Sequence, residues 1–478
     1  MWDFSANRDR ICLQEDDGFL LSYGQVEEFG EQLAEASGGR CLVFILCGNS
    51  IGAVAGHIAF IEHGIVPLLL NANIDRELLD NLLARYWPSY LWIPKERAER
   101  MIGQVVLEEY GYCLIRTGFG ARHDLHDNLG LLLTTSGSTG SPKFVRQSYE
   151  NIHVNAEQIA EYLELDSSER PVTTLPMNYT YGLSIIHSHL LVGATMLLTD
   201  KGLMQREFWD FFKTAEATSF GGVPYTYEML ERLRFRRMEL PSLRYMTQAG
   251  GKLSPELHKK FAQYAIENNK KFIVMYGQCE ATARMGYLPA EDSLRKYGSM
   301  GIAIPQGKFT LVDVNGQEIT DAGVTGELVY TGPNVTMGYA QTPRELALGD
   351  ERNGRLETGD MAQRDEEGYY YIVGRKKRFL KVYGNRVNMD ELEGLLKCQY
   401  GDVDCCCAGT DDHVIIFATQ ETGKKITGQY EDMADVIKKF ISEKTGLNRT
   451  AFQVVTVPEI PKNDAGKIQY RELEKYLD

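Results

Sequence analysis

The sequence predicts an α/β fold with largely parallel sheets, and three observations carry that prediction: hydrophobic runs of strand length recur along the chain, helical patterns separate them, and the spacing repeats a strand–helix–strand rhythm. In order along the chain, Cys41-Leu42-Val43-Phe44-Ile45-Leu46 reads as a strand. A helix rich in small residues (Ala53, Ala55, Ala59) follows, and Ile65-Val66-Pro67-Leu68-Leu69-Leu70 completes a βαβ unit over 40–71. The alternation resumes at Leu131-Leu132-Leu133, at Thr195-Met196-Leu197-Leu198 and at Lys271-Phe272-Ile273-Val274-Met275, with a helical pattern over 253–268 before the last. Runs apolar on both faces suit parallel strands covered by helices on each side. From about 298 the texture changes to short strands broken by Gly, Asn and Asp, such as Lys308–Val312, Glu327–Tyr330 and Tyr369–Val373, which predicts a smaller β-rich subdomain. The last hundred or so residues read as a separate α+β lobe: a helix over Met389–Lys397, strands near Cys405 and over Val414–Ala418, and a helix near Asp432–Lys444.

At 478 residues the chain is too long for one hydrophobic core, so several folding units are expected. A composition 43% hydrophobic and 24% charged is that of a globular protein. A formal net charge of -15 opposes attraction to nucleic-acid phosphates, so nucleic acid is not expected as a partner. The opening residues Met1–Arg10 do not resemble a secretory signal, and no uninterrupted apolar stretch reaches the roughly 20 residues that span a bilayer. Nine cysteines at irregular spacing argue for reduced thiols and a cytoplasmic location. The run Cys405-Cys406-Cys407 invites a metal-site reading. Adjacent strand residues point to opposite faces, however, and three such thiols cannot converge on one ion, so buried small hydrophobes are expected instead.

The strongest chemical signal is Thr134-Thr135-Ser136-Gly137-Ser138-Thr139-Gly140-Ser141-Pro142-Lys143, directly after a strand. Glycines let backbone approach an anion, consecutive N–H groups and hydroxyls donate to phosphate oxygens, and Lys143 supplies positive charge. It is not a Walker loop, which places G-K-[ST] four residues after its first glycine, whereas here Phe144 follows the lysine. Taken alone, the segment could also be a flexible Ser/Gly linker.

This loop resembles the [ST]-S-G-[ST]-T-G-x-P-K signature of the adenylate-forming superfamily of acyl-CoA synthetases, peptide-synthetase adenylation domains and luciferases. Further segments similar to that family's motifs follow in its order. They are Ala249-Gly250-Gly251-Lys252, Tyr276-Gly277-Gln278-Cys279-Glu280, Gly298-Ser299-Met300-Gly301, Gly338-Tyr339, Thr358-Gly359-Asp360, the stretch Gly374–Gly384, and Pro461–Ile468. By that resemblance, Thr135–Gly140 and Lys143 hold the β- and γ-phosphates of ATP. Gly250, Gly251, Lys252, Gly277, Gln278 and Cys279 surround the nucleotide, Tyr276 stacks on adenine, Asp360 accepts from the ribose hydroxyls, and Arg375 donates nearby. Glu280 binds Mg²⁺ and Lys467 drives adenylation. Lys377 is the hinge between a 1–376 domain and a 377–478 lid, and Lys381 with Tyr383 and Gly384 forms the thioester loop. The implied reaction joins ATP and a carboxylic acid into an acyl-AMP, then passes the acyl group to the thiol of coenzyme A or of the phosphopantetheine arm of a carrier protein. Each residue also has a plain alternative: a solvated Lys467, a turn Asp360, a helix-starting Glu280.

Leu175–Leu183 is similar to the family's acid-gating segment, with Tyr179 at the aromatic or histidine position. No Asp lies within 176–182 to meet a substrate ammonium, which favours a plain carboxylic acid over an amino acid. Tyr179, Tyr181, Tyr225, Ala249 and Arg284 are the implied pocket. Arg284 would engage a polar substituent or sit as a surface helix residue. Two departures stand out: Cys279 replaces a threonine hydroxyl with a weaker thiol donor, and Phe144 replaces a glycine, which predicts a narrower loop exit. Both motivate a competing reading, a nucleotide-binding protein with little turnover.

Overall fold

The computed structural model describes residues 2–119, 123–134, 143–383, 385–401, 403–427, 432–462 and 468–477, without the side chains of Lys377, Asn385, Arg386 and Arg471. The chain packs into two compact units, one formed by Met1–Phe309 with Tyr330–Leu356 and the other by Thr310–Val329 with Glu357–Asp478.

The first unit is built on two large sheets. In the eight-stranded one, Leu42–Cys47, Val66–Asn71, Tyr90–Pro94 and Leu129–Thr134 form a parallel centre. The predicted βαβ unit is present: Leu42 pairs with Val66 and Cys47 with Asn71, joined through the helix Ile51–Glu62. All of that helix from Ile51 to Ile61 is buried, as a helix apolar all round must be. Successive residues of Leu42–Cys47 alternate between two cores: Val43, Ile45 and Cys47 enter one, Leu42, Phe44 and Leu46 the other. The nine-stranded sheet has a parallel centre through Met196–Leu198, Pro171–Val172, Ser219–Gly222, Tyr245–Gln248 and Lys271–Tyr276. Helices Tyr23–Ser37, Ile51–Glu62, Tyr149–Leu163 and Thr180–Leu191 share one core with residues of both sheets.

Two features depart from the sequence reading. Gly338–Ala340, within the stretch expected to form the β-rich subdomain, instead forms the edge of the eight-stranded sheet, antiparallel to Phe144–Ser148. The fully buried Arg146 holds it there, donating to the carbonyls of Tyr339 and Met337 at 3.0 and 3.1 Å and pairing with Glu351. Phe144 does not narrow a loop exit. It begins a strand, and its side chain turns into the core, with its ring 4.8 Å from that of Tyr86.

The second unit contains most of a five-stranded sheet that ends in Arg355–Arg364 and Tyr370–Arg375. It also holds a hairpin of Phe379–Val382 with Asn385–Asn388, and a three-stranded sheet of Cys405–Thr410, His413–Thr419 and Phe452–Val457 backed by Met389–Tyr400 and Met433–Thr445. The cysteine run behaves as its alternation requires: Cys405 and Cys407 face one core, Cys406 the other, and burial pushes all three thiols up.

Candidate active site

Thr134 pairs with Phe144 in an antiparallel hairpin of Leu129–Thr134 and Phe144–Ser148, the two strands that flank the phosphate-type segment in sequence. Thr135–Gly140 themselves lie outside the described residues. Lys143, at the base of the hairpin, places its Nζ 3.9 Å from the centre of the Tyr339 ring. The Tyr339 hydroxyl donates to Glu280 Oε1 at 2.6 Å. Arg352 lies against the same ring at 4.7 Å and donates to the Glu280 carbonyl at 2.9 Å and to Thr336 Oγ1 at 2.6 Å. The Thr336 N–H and hydroxyl both donate to that carbonyl as well. Burial raises the Tyr339 phenol far above its usual range, and the adjacent Glu280 carboxylate adds to the rise, so Tyr339 is a neutral donor that fixes Glu280. Tyr339, Thr336 and Arg352 were not among the sequence-derived candidates. The one signal available was the Gly338-Tyr339 pair, which matched the family's motif order but carried no role.

Glu280 sits in the single turn Cys279–Ala281 after the strand Lys271–Tyr276. The turn's geometry explains Gly277: a Cβ there would lie 1.6 Å from the Ala283 carbonyl oxygen. The return path is unusual, with Thr282 at φ 54° and Ala283 at φ 101°, values that cost energy in a residue bearing a side chain. Asn334 locks it, donating to the carbonyls of Ala281 and Arg284 at 2.8 and 3.0 Å, while the Thr282 hydroxyl donates to the Asn334 carbonyl. Tyr276, half-buried, accepts from Gln278 Nε2 at 3.2 Å and meets the edge of Phe309 at 6.1 Å.

The segment 249–252 lies at the end of the neighbouring strand Tyr245–Gln248. Buried Gln248 donates to the carbonyls of Ala249 and Gly251. Gly250 takes φ 82°, and a Cβ on it would fall 2.6 Å from the Tyr179 hydroxyl. The sequence candidates Tyr179, Ala249, Gly250 and Gly251 are therefore neighbours, and Tyr179 stands edge-on to Tyr181 at 6.3 Å. Burial pushes the Tyr179 phenol up to about 12. Tyr181 is fully sequestered, sharing a 2.8 Å hydrogen bond with Thr247. Tyr225 is exposed in the first turn of Pro224–Arg232, and Lys252 is exposed beyond Gly251. Arg284 is 2% exposed, which removes the surface-helix reading.

In the second unit, Asp360 and Arg375 face each other across paired strands, and Arg375 Nε meets Asp360 Oδ1 at 2.8 Å. The Thr358 hydroxyl donates to the Leu328 carbonyl and accepts from the Asp360 N–H, which fixes the turn. Lys377 lies within the turn Lys376–Arg378, flanked by Lys376 paired with Glu327 and Arg378 paired with Asp390 and Glu393. Lys381 is exposed on a hairpin strand, and Tyr383 takes φ 50° with its N–H donated to Asp412 at 2.6 Å. Gly384 and Lys467 lie outside the described residues. On either side of 463–467, Lys462 and Ile468 form an antiparallel bridge.

Solved structures share this architecture. O-succinylbenzoate coenzyme A synthetase (MenE) from Bacillus subtilis in complex with AMP superposes with a TM-score of 0.77 at 20% identity, over 98% of this chain and 96% of that one. ATP-bound MatB from Rhodopseudomonas palustris gives 0.78 at 21% identity, over 99% and 98%. These likenesses establish the fold. The family model described as AMP-binding enzyme matches residues 2–340, and the chain belongs to that family. Among its relatives, peroxisomal OPC-8:0-CoA ligase 1 of Arabidopsis thaliana is 29% identical over 73% of this chain and 64% of its own length. Oxalate–CoA ligase of Saccharomyces cerevisiae is 26% identical, with 62% of its length matched. The chain thus spans somewhat under two thirds of these relatives. Indoleacetate–CoA ligase of Aromatoleum aromaticum (strain DSM 19018 / LMG 30748 / EbN1) is 28% identical over 96% of this chain and 93% of its own length. Among the described residues, no helix is long and apolar enough to cross a membrane.

Proposed function

We propose that this protein activates a carboxylic acid with ATP and transfers the acyl group to a thiol. A carboxylate is a poor electrophile, and the oxide it would expel is a poor leaving group. Attack of a carboxylate oxygen on the α-phosphorus forms the acyl–O–P bond and breaks the bond to pyrophosphate. A thiol sulfur then attacks the carbonyl carbon, AMP leaves, and the thiol proton passes to solvent. The observation that carries this reading is the Lys143–Tyr339–Glu280 chain, which fastens the base of the phosphate hairpin to a fixed carboxylate.

Lys143 and the Thr135–Gly140 backbone would hold the outer phosphates, and Lys467 would stabilise charge on the reacting phosphoryl and carboxylate oxygens. No cluster of three metal-ligating side chains occurs among the described residues, and Glu280 offers a single carboxylate. That donor set fits Mg²⁺, which keeps waters and phosphate oxygens as its other ligands. Bound there, the ion would supply neutralisation of phosphate charge. Tyr276 would stack on adenine beside Gly250, Gly251, Lys252, Gly277, Gln278 and Cys279. Asp360, oriented by Arg375, would take the ribose hydroxyls. Lys377 is read as the hinge between 1–376 and 377–478, and rotation there would exchange Lys467 for the Lys381, Tyr383 and Gly384 loop. Tyr179, Tyr181, Tyr225, Ala249 and Arg284 are assigned to the acid pocket. Coenzyme A is the acceptor favoured by the relatives' names; a carrier-protein phosphopantetheine presents the same thiol. Among the described residues the nine cysteines form no disulfide, which favours a cytoplasmic setting.

The test is acid-dependent pyrophosphate release with Mg-ATP across fatty, hydroxy, aryl and amino acids, with Lys467→Ala as control. Turnover lost in the control supports the assignment. Cys279 favours the competing reading of a nucleotide binder with little turnover, which predicts AMP binding without pyrophosphate release for every acid.

A further inference from the structure

Two arginines are deeply buried among the described residues, and they are partnered very differently. Arg146 has a carboxylate, Glu351, and four backbone carbonyls. Arg284 has only neutral groups: Nε donates to Ser184 Oγ at 3.0 Å, and Nη1 donates to the Tyr162 hydroxyl at 2.9 Å and to the Met275 sulfur at 3.2 Å. Its Cζ lies 5.4 Å from the centre of the Tyr181 ring. Among the described residues Nη2 has no acceptor and no carboxylate pairs with the guanidinium. Burial holds the Tyr162 and Tyr181 phenols neutral, and His189 behind them is kept neutral by a pKa lowered to about 3, so none supplies a negative charge. A guanidinium cannot shed its proton, and burying one without a counter-charge is unfavourable.

Arg284 sits at the inner end of a row that starts at Gly250 and passes through Tyr179 and Tyr181. We infer that the acid this protein activates carries a second anionic group, a distal carboxylate, and that Arg284 pairs with it through Nη2 and sets the choice of substrate. This rests on the acid-activation reading above and narrows it from carboxylic acids in general to dicarboxylic acids. A bidentate or charge-assisted bond of this kind, formed away from water, discriminates strongly against an isostere lacking the charge.

The experiment compares matched pairs: aliphatic and aryl dicarboxylates against the same acids with the distal carboxylate replaced by methyl, in wild type, Arg284→Leu and Arg284→Lys. Pyrophosphate release gives kcat/KM for each. Wild type should favour the diacid, Arg284→Leu should lose roughly 10²-fold on the diacid and reverse the preference, and Arg284→Lys should keep part of it. A wild type that prefers the methyl acids overturns the inference while leaving acid activation standing, as does an equal loss on both acids in Arg284→Leu. If no acid releases pyrophosphate, calorimetry with AMP and each acid still decides. Diacid-selective binding lost in Arg284→Leu upholds the charge pair, and equal binding of both acids overturns it. Thermal melts by circular dichroism confirm that each variant is folded, and the wild-type comparison does not depend on them.

Discussion

Replacing Tyr339 by phenylalanine removes one oxygen atom and leaves the ring that carries Lys143 and Arg352. The lost contact is a 2.6 Å hydrogen bond from a neutral phenol to a carboxylate. Hydrogen bonds to charged groups contribute about 1.5–3 kcal/mol, and Glu280 is only partly buried, so the lower half of that range applies. If Glu280 acts only in the orientation Tyr339 gives it, this converts to a loss of roughly 10- to 40-fold in kcat/KM for Mg-ATP. The loss should fall mainly on nucleotide-dependent pyrophosphate release and show as a raised Mg²⁺ requirement, with a thermal midpoint lowered by only a few degrees, on the order expected for about 1 kcal/mol. Tyr339→Ala, which also removes the ring beneath Lys143, should lose more. A Tyr339→Phe enzyme within twofold of wild type at limiting Mg²⁺ would refute the claim that Tyr339 holds Glu280 in its working position.

Gly277→Ala places a Cβ 1.6 Å from a backbone oxygen in an already strained turn, so the variant should be destabilised by more than about 3 kcal/mol and lose nucleotide binding, measured by urea denaturation and by AMP titration. The histidines give a pH prediction. His57 and His187 contact each other at 2.8 Å in the core, and burial lowers His57 to about 3 and His187 well below its usual value; His189 falls to about 3 and His258 to about 4 for the same reason. With folded pKa values depressed, the unfolded chain binds more protons below about pH 6.5, so stability is full above that value and declines as pH falls toward 4. Each histidine contributes a limiting slope of about 1.4 kcal/mol per pH unit in that window. Urea midpoints measured from pH 8 to 4.5 should be flat and then fall, and His57→Leu should reduce the slope.

The central strands were legible because both faces of each are buried, which forces apolar residues at successive positions, as in Leu42–Cys47. The N-terminal strand Ile11–Glu15 was not: it pairs with Met196–Leu198, far along the chain, and runs into acidic residues 15–17 that break the hydrophobic run. Gly338–Ala340 has three residues, too few for a period, and its sheet is chosen by a buried arginine nearly 200 residues away, so no local pattern could assign it. Phe144 was legible in principle, since Phe144, Arg146 and Ser148 alternate with Val145 and Gln147 on a strand; treating it as part of the loop hid that alternation. Nucleotide-site candidates came from residue types fixed by backbone geometry, such as Gly250 and Gly277. Tyr339 and Arg352 escaped notice because their role depends on a contact with Glu280 that only the folded chain creates.

The most direct test is to follow the oxygen. With an acid labelled with ¹⁸O in both carboxylate oxygens, attack on the α-phosphorus and later thiol attack on the carbonyl must leave one labelled oxygen on AMP. Mass spectrometry of the AMP formed with Mg-ATP, acid and coenzyme A should show one ¹⁸O per turnover, absent with Lys467→Ala. AMP without label, or label in inorganic phosphate accompanied by ADP, would contradict an acyl-adenylate and with it the function proposed for this chain.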